Sequence, residues 1–219
     1  PNIHMVEVVR SCPELCRFCL ASYLTLPFRP ASLENGIIPA IEKGLTATNR
    51  IGLLGASVTQ HPEFPELLNW FNRESLKDVR LSISSVRANT VSPTMTKVLS
   101  KHGCKSITIA IESGSERIRK MINKKLAEEE ILSAAHYAKE GGLTGLKLYG
   151  MVGLPTEEDI DVAETAELLL SLKQKVSGIN FTLGVSTFVP KAHTPFQWNG
   201  VSPSAKKRLK DLSKKLLPK

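Results

Sequence analysis

The sequence predicts an α/β fold in which six parallel strands alternate with helices and curl into a partial barrel. Three observations favour this fold. Short apolar runs rich in β-branched residues recur along the chain, stretches with helical spacing separate them, and glycine or proline marks most boundaries. Strand then helix, repeated at this pitch, is typical of a parallel sheet with crossover helices. Six units are fewer than a closed eight-fold barrel needs, so we expect a partial (β/α)6 TIM-type barrel.

The predicted elements alternate in chain order. The strands are HMVEVVRS (4–11), RIGLLGAS (50–57), VRLSISSV (79–86), KSITIAIES (105–113), TGLKLYGMVG (144–153) and SGINFTLGVSTFV (177–189). The helices are LENGIIPAIEKGL (33–45), PELLNWFNRESL (65–76), TMTKVLSKHG (94–103), ERIRKMINKK (116–125), EEEILSAAHYAKEGG (128–142) and EDIDVAETAELLLSLKQK (158–175). Gly103, Gly141 and Gly142 stand where helices end, and Pro93 and Pro155 where helices begin or strands end. Ligands of such folds gather at the carboxyl ends of the strands, so polar residues that follow strands are the candidate site.

The expected domain organisation is simple. The chain has 219 residues, 42% hydrophobic and 23% charged, which suits one globular core that we assign to residues 1–200. Residues 201–219 predict a basic amphipathic helix that packs on this core. Its apolar face comprises Ala205, Leu209, Leu212 and Leu216. Because the chain begins Pro-Asn-Ile-His without an initiator Met, we expect it to be a fragment of a longer protein.

Charge and cysteine content restrict the classes of function. The formal charge is +8, which fits RNA or anionic substrates, although much of the excess lies in the solvated helix at 206–219. No apolar run reaches membrane-spanning length, so we expect no membrane partner. Four cysteines, three of them clustered, do not make a disulfide scaffold and favour metal binding in a reducing compartment. We expect a cytoplasmic protein, with an organelle left open.

The clustered cysteines lie in CPELCRFC, directly after the first predicted strand. The C-x3-C-x2-C spacing lets one tight loop present Cys12, Cys16 and Cys19 together. Zinc normally takes four protein ligands, and no second CxxC follows. Cys104 precedes a strand, on the opposite end of the sheet, where a buried free thiol is expected. Three thiolates with a fourth place vacant suit an iron–sulfur cluster with one open iron.

CPELCRFC resembles the C-x3-C-aromatic-C signature of the radical S-adenosylmethionine (radical SAM) enzymes. The resemblance implies that the three cysteines hold a 4Fe–4S cluster, that SAM chelates the open iron, and that Phe18 lies against the adenine. It further implies reductive cleavage of SAM, a deoxyadenosyl radical that abstracts hydrogen from a substrate, and an electron donor such as flavodoxin or ferredoxin.

Residues after the second strand match the family's pattern in part, and those after the third strand resemble a further family stretch. Gly55, Ala56 and Ser57 stand where many relatives have a Gly-Gly-Glu-like motif whose backbone meets the SAM amino group, but the acid is missing. SSVRANT resembles a Ser-Ser-x-Arg stretch of the family, which implies that Ser84 faces the ligand. For Arg87 two alternatives stand equally, a ligand carboxylate and a surface acid.

An acid and a cation follow the fourth strand. Glu112 ends an apolar strand, where an unpaired charge is costly, and we expect it to point into the barrel mouth. The resemblance implies that Glu112 accepts from the ribose hydroxyls of SAM and that Lys124 contacts the SAM carboxylate. A solvated lysine at a helix end is the equal alternative for Lys124, and Arg119 is the alternative cation.

The last two strands complete the resemblance, which covers Val6 to about Trp198. KLYGMVGLP is similar to the family's adenine-lining strand, with Tyr149 and Met151 on one face. FVPKAHTPFQW resembles a segment of radical SAM proteins that often carry a cobalamin-binding domain. That resemblance places Lys191, His193 and Trp198 at the substrate end. No cobalamin motif occurs in this sequence, so we expect any cobalamin to come from a domain outside this chain.

The predicted function is a radical SAM enzyme that acts on an unknown substrate, with methyl transfer as one outcome. A tRNA-modifying enzyme similar to the methylthiotransferases is the alternative within the same class. A non-catalytic iron–sulfur or zinc module that binds RNA is the rival from another class. A relative that binds SAM without radical chemistry also stays open, because the acid after Gly55 is missing.

Overall fold

The computed structural model describes residues 2–217 and confirms the predicted fold. The strands are β1 (His4–Glu7), β2 (Val9–Arg10), β3 (Arg29–Pro30), β4 (Arg50–Leu54), β5 (Arg80–Ile83), β6 (Ser106–Glu112), β7 (Gly145–Val152) and β8 (Asn180–Thr187). The helices are α1 (Leu20–Leu24), α2 (Ile38–Leu45), α3 (Phe64–Phe71), α4 (Pro93–Lys101), α5 (Glu116–Met121), α6 (Glu128–Glu140), α7 (Asp159–Lys175) and α8 (Ala205–Leu216).

Six of these strands form the parallel partial barrel. They make two three-stranded sheets, β1–β4–β5 and β6–β7–β8, whose neighbours all run parallel. A parallel bridge between Val86 and Ile109 joins the two sheets. Crossover helices cover one face of the strands, as the right-handed connection requires. The carboxyl ends of the strands therefore lie together at one rim.

The first predicted strand is divided in the structure. Residues 4–11 were expected to form one strand, but β1 ends at Glu7 and β2 pairs antiparallel with β3. The consecutive residues Val8 and Val9 are both buried, which breaks the two-residue alternation of a strand. The amide of Val8 still donates to the Leu54 carbonyl at 2.9 Å. The chain thus turns away from the sheet just before the cysteine loop.

The core lies between the strands and the helices. Leu53, Ile109 and Leu148 point to that side and are at most 1% exposed. Residues that alternate with them point to the opposite side, which we call the concave face. Large side chains stay accessible there, with Leu54 41% and Tyr149 50% exposed. The barrel interior is therefore open to ligands.

The last helix, α8, packs on α7, β7 and β8. Ala205 and Leu212 are buried in this contact. The Arg208 guanidinium lies 3.3 Å from the buried Glu157 carboxylate, which also accepts from the amide of Gly153 at 2.6 Å. Residues 218 and 219 of the predicted tail lie outside the described residues. In residues 2–217 no helix is both long and apolar enough to cross a bilayer.

Gly55 is required where β4 meets β2. Its φ is 155°, and a Cβ atom there would approach the Val9 carbonyl oxygen at 2.7 Å. We expect Gly55→Ala to lower the free energy of unfolding by about 2 kcal/mol, because the backbone must shift to relieve strain and overlap. Urea unfolding measures this change. Gly200→Ala is the control, since nothing lies within 4 Å of its added Cβ, and an equal loss there would contradict the explanation.

Candidate functional site

The cysteine loop lies at the rim formed by the carboxyl ends of the strands. It begins directly after β2 and runs into α1, which starts one residue after Cys19. Two residues take the left-handed conformation, Ser11 with φ of 69° and Leu15 with φ of 55°. The amide of Cys19 donates to the Cys16 carbonyl at 2.9 Å, which closes a turn between these two ligand candidates. The loop is therefore a defined structure with its own hydrogen bonds.

The end of α5 holds this loop in place. The Arg17 amide donates to the Ile122 carbonyl at 3.0 Å, and the Arg17 guanidinium donates to the Met121 carbonyl at 2.6 Å. The Asn123 side-chain amide donates to the carbonyls of Glu14 and Leu15 at 3.1 and 2.9 Å. These contacts join residues more than 100 positions apart in the chain.

The three thiols differ in exposure. Cys16 is 6% exposed, whereas Cys12 and Cys19 are half-buried, and all three are free. Burial raises the pKa of Cys16 to about 11, against the lowering effect of the Lys124 and Arg87 charges. Within residues 2–217 no three His, Cys, Asp or Glu side chains converge to hold a single metal ion. An iron–sulfur cluster does not require its ligands to meet at one metal ion, because each thiolate binds a different iron of the cluster.

The donor set fits an iron–sulfur cluster. Thiolates bind iron only after they lose their protons, and the cations of Lys124 and Arg87 favour that loss at Cys16. A buried hydroxyl lies three residues after Cys19. Ser22 is 1% exposed, its amide donates to the Cys19 carbonyl, and its Oγ has no hydrogen-bond partner in the described chain. Buried hydroxyls ordinarily have partners, so this one is available to an acceptor at the site.

A chain of polar contacts links the cysteine loop to β4 and β5. The Gln60 amide donates to the Glu14 carboxylate at 2.6 Å, and the Ser57 hydroxyl donates to Gln60. The other Glu14 oxygen lies 3.5 Å from the Arg87 guanidinium. Sequence reasoning missed Glu14 and Gln60. An acid inside the cysteine motif was the available signal, but its partners are 46 and 73 residues away.

Arg87 and Arg119 both bond to groups of the protein. Arg87 is 9% exposed, so its pair with Glu14 is buried and not a surface pair, and it also donates to the Lys124 and Lys125 carbonyls. Arg119 is 2% exposed, and its guanidinium donates to the carbonyls of Ser113, Gly114 and Leu126. Backbone carbonyls after β6 and after α5 thus accept hydrogen bonds from both guanidinium groups.

Glu112 and Lys124 form one ion pair. The Lys124 ammonium lies 3.0 Å from the Glu112 carboxylate, and both residues are buried. Glu112 has φ of 67° and follows a register shift between β6 and β7, a bulge that re-aims its side chain at the rim. The sequence predicts that a charge at this strand end needs a partner. Lys124, 12 positions later in the chain, is that partner.

The glycine and serine candidates make protein contacts. Gly55 lies against Val9, as described above, and Ala56 next to it is exposed. Ser57 is buried and bonded to Gln60. The Ser84 hydroxyl donates to the Gly55 carbonyl at 3.2 Å, which ties the end of β5 to the end of β4. These residues lie on the β4–β5 side of the rim.

A cavity of about 470 Å³ opens on the β6–β8 side. Glu112, Tyr149 and Met151 line it together with Gly184 and Ser186. The structure thus brings the predicted acid and the two predicted residues of β7 to one cavity. Phe18 and Met151 also pack against the same apolar cluster. That cluster comprises Ile118, Ile122, Leu154, Phe188 and Phe196.

The segment after β8 closes the rim beside the cysteine loop. The amide of Phe196 donates to the Arg17 carbonyl at 3.2 Å, and its ring packs edge-on against Phe188. His193 is exposed and Trp198 is 89% exposed.

Cys104 lies before β6, and its thiol donates to the Leu81 carbonyl at 2.8 Å.

The fold and the site define a parallel partial barrel whose rim presents three free thiols beside an open cavity. The sequence model of the Radical SAM superfamily matches residues 6–169. The chain belongs to the radical SAM superfamily, whose enzymes combine a 4Fe–4S cluster with SAM.

Relatives and solved structures agree with this assignment. The uncharacterized protein MJ0966 of Methanocaldococcus jannaschii is 35% identical over 97% of this chain and 46% of its own length. The tRNA-2-methylthio-N(6)-dimethylallyladenosine synthase of Parabacteroides distasonis is 28% identical over 59% of this chain and 31% of its own length. The chain thus spans less than half the length of these relatives.

Among solved structures, the radical SAM methyltransferase TsrM of Kitasatospora setae, with cobalamin and a [4Fe–4S] cluster bound, is similar in fold. Its TM-score is 0.66 at 12% identity, over 89% of this chain and 36% of that one. This similarity shows that the two proteins share the fold of the core.

The buried pair of Glu14 and Arg87 gives a test of the polar chain. We expect Arg87→Met to lower the free energy of unfolding by about 3 kcal/mol, because it leaves the Glu14 charge without its cation. Denaturant unfolding measures the change. Lys77→Met is the control, since the Lys77–Glu74 pair is exposed and its loss is expected to have no measurable effect. Equal effects of the two substitutions would contradict a structural role for the buried pair.

Proposed function

We propose that this chain is the catalytic core of a radical SAM enzyme, with Cys12, Cys16 and Cys19 as the ligands of its cluster. The observation that supports this most directly is the loop of three free thiols, held at the rim beside a cavity of about 470 Å³. When bound, a 4Fe–4S cluster supplies the electron that cleaves SAM reductively. Residues 1–200 form the core in this proposal, and 201–219 the helix that supports it.

The residues around the cavity bind and orient SAM in this proposal. The Glu112 carboxylate accepts hydrogen bonds from the ribose hydroxyls, as acids do in dinucleotide sites. Lys124 holds the Glu112 carboxylate toward the rim through their 3.0 Å pair, and its contact with the SAM carboxylate is made from that position. Phe18 and Met151 supply apolar surface for the adenine, with Tyr149 beside them.

The β4–β5 side of the rim holds the amino group of SAM in this proposal. Backbone groups of Gly55, Ala56 and Ser57 meet the amino group, and Ser84 fixes this turn through the Gly55 carbonyl. The Phe196 amide donates to the Arg17 carbonyl, which joins the cysteine loop to the segment after β8, and in this proposal the two segments cover bound SAM and exclude water. Exclusion of water strengthens the electrostatic interactions inside the site and protects reactive species.

Methyl transfer is the reaction that we propose, with an electron donor such as flavodoxin or ferredoxin and a reducing, cytoplasmic setting. The FVPKAHTPFQW segment and the likeness to TsrM support it. Cobalamin would then come from a part of the protein outside this chain. The second candidate is methylthiolation of tRNA, which the 28% identical synthase and the positive charge favour.

Removal of one thiol tests the proposed cluster. We expect Cys16→Ala to abolish cluster assembly, because two cysteines cannot replace three ligands. Anaerobic reconstitution followed by iron and sulfide analysis measures assembly, and 5′-deoxyadenosine release after reduction measures SAM cleavage. Cys104→Ala is the matched control and should retain both, since Cys104 bonds to Leu81 away from the loop. One equivalent of bound zinc without SAM cleavage would favour the non-catalytic module instead.

The acid at the rim gives a separate test of SAM binding. We expect Glu112→Gln to weaken SAM binding to the reconstituted protein about tenfold, because a neutral amide accepts weaker hydrogen bonds than a carboxylate. Equilibrium dialysis of SAM measures the affinity, and iron content verifies that the cluster is unchanged. Glu34→Gln, an exposed site in the segment before α2, should bind SAM normally. Unchanged affinity in Glu112→Gln would remove Glu112 from the proposed site.

A further inference from the structure

The middle of β7 places a lysine on the concave face. Lys147 alternates with Leu146 and Leu148, which are fully buried toward the helices, so its side chain points into the barrel. It is exposed there, and within residues 2–217 it forms no ion pair and no side-chain hydrogen bond. A cation on an inward-facing surface, without a protein partner, is available to a ligand.

The sheet register sets a hydroxyl on each side of this cation. Thr108 of β6 and Thr182 of β8 are the register partners of Lys147, so all three side chains point to the concave face. Neighbouring strands lie about 4.8 Å apart, which brings both hydroxyls close to the base of the lysine side chain. Neither threonine hydroxyl bonds to another group in the described part of the chain. The ammonium at the end of this side chain and the two hydroxyls beside its base are donors that suit the oxygens of an anion.

Two acids of the barrel strands are already paired with other cations. Glu7 on the β1 side of the barrel is bonded to Arg10 at 2.6 Å, and Glu112 is bonded to Lys124. Arg50 and Arg80 are register partners at the amino ends of β4 and β5, and both are exposed. The lower half of the barrel is therefore positive, and it attracts anions from the open rim.

The lysine lies within reach of the rim cavity. Tyr149 and Met151, which line that cavity, follow Lys147 by two and four residues on β7. A strand rises about 3.3 Å per residue, so the Lys147 backbone lies roughly 7 Å below that of Tyr149. The Tyr149 ring lies over Gly184, where an added Cβ would be 3.1 Å from it. Its other neighbour, Ala110, has only a methyl group, which leaves a passage on that side.

We propose that Lys147, with Thr108 and Thr182, binds the carboxylate or phosphate of a small-molecule substrate and so orients the rest of that substrate toward the rim cavity. The identity of the ligand as substrate rests on the proposed function, whereas the anion site rests on the geometry of the sheet. Because the anion is held below the rim, the substrate would present its other end to the position where SAM is expected.

The test uses inorganic phosphate and acetate as probes on the intact chain. Lysines carrying ¹³C-methyl groups keep their charge and are followed by NMR, with the Lys147 signal identified by its loss in Lys147→Met. We expect a saturable shift of this signal with at least one probe. Thr108→Val with Thr182→Val should weaken binding about tenfold, because two hydrogen bonds to the anion are lost. Lys175 at the exposed end of α7 is the control for general ionic effects.

Each outcome decides the inference. Saturation with phosphate in preference to acetate would indicate a phosphorylated substrate, and the reverse preference a carboxylate, and both support the site. A linear shift equal to that of Lys175 would overturn it. Reductive SAM cleavage without substrate is measured in parallel. Anion binding at Lys147 in a chain that cleaves no SAM would contradict the proposed function alone, and cleavage without anion binding would contradict this inference alone.

Discussion

The attachment of the cysteine loop to the end of α5 is the constraint on which the site depends. The loop is short and its apolar content is small, so burial alone does not position three thiols. Hydrogen bonds from Arg17 and Asn123 do so, between segments more than 100 residues apart. Since Lys124 directly follows Asn123, the same segment that holds the thiols also holds the cation that pairs with Glu112. Thiol position and rim electrostatics are thereby set together.

Charge pairing explains why ionised groups are tolerated at this rim. Glu14 with Arg87 and Glu112 with Lys124 are both largely buried, where a lone charge would be strongly unfavourable. The cations of these pairs lie near Cys16 and oppose the rise of its pKa by burial. One set of side chains thus stabilises the loop, keeps an acid aimed at the cavity and favours thiolate formation. These shared roles explain why several charged residues lie together at the end of otherwise apolar strands.

The open concave face distinguishes this core from a closed barrel. A closed barrel fills its interior with side chains, whereas Leu54, Tyr149 and Lys147 remain accessible here. The interior is therefore a surface for ligands, bounded above by the cysteine loop. The chain spans less than half the length of MJ0966 and of the tRNA-2-methylthio-N(6)-dimethylallyladenosine synthase. The core contributes the site at the rim and, below it, the surface with the cations Lys147, Arg50 and Arg80.

The sequence alone determined the strand–helix alternation, the partial barrel and the superfamily, because apolar periodicity and the spacing of three cysteines are local properties. It also indicated Glu112, since an acid that ends an apolar strand must find a partner. It did not reveal that this partner is Lys124, that Arg87 meets Glu14, or that β1 breaks at Val8. Those outcomes depend on which distant segments the folded chain brings together. Burial penalises every charge left unpaired, which selects the two ion pairs, and the burial of both Val8 and Val9 ends the strand. Only the tertiary structure contains that information.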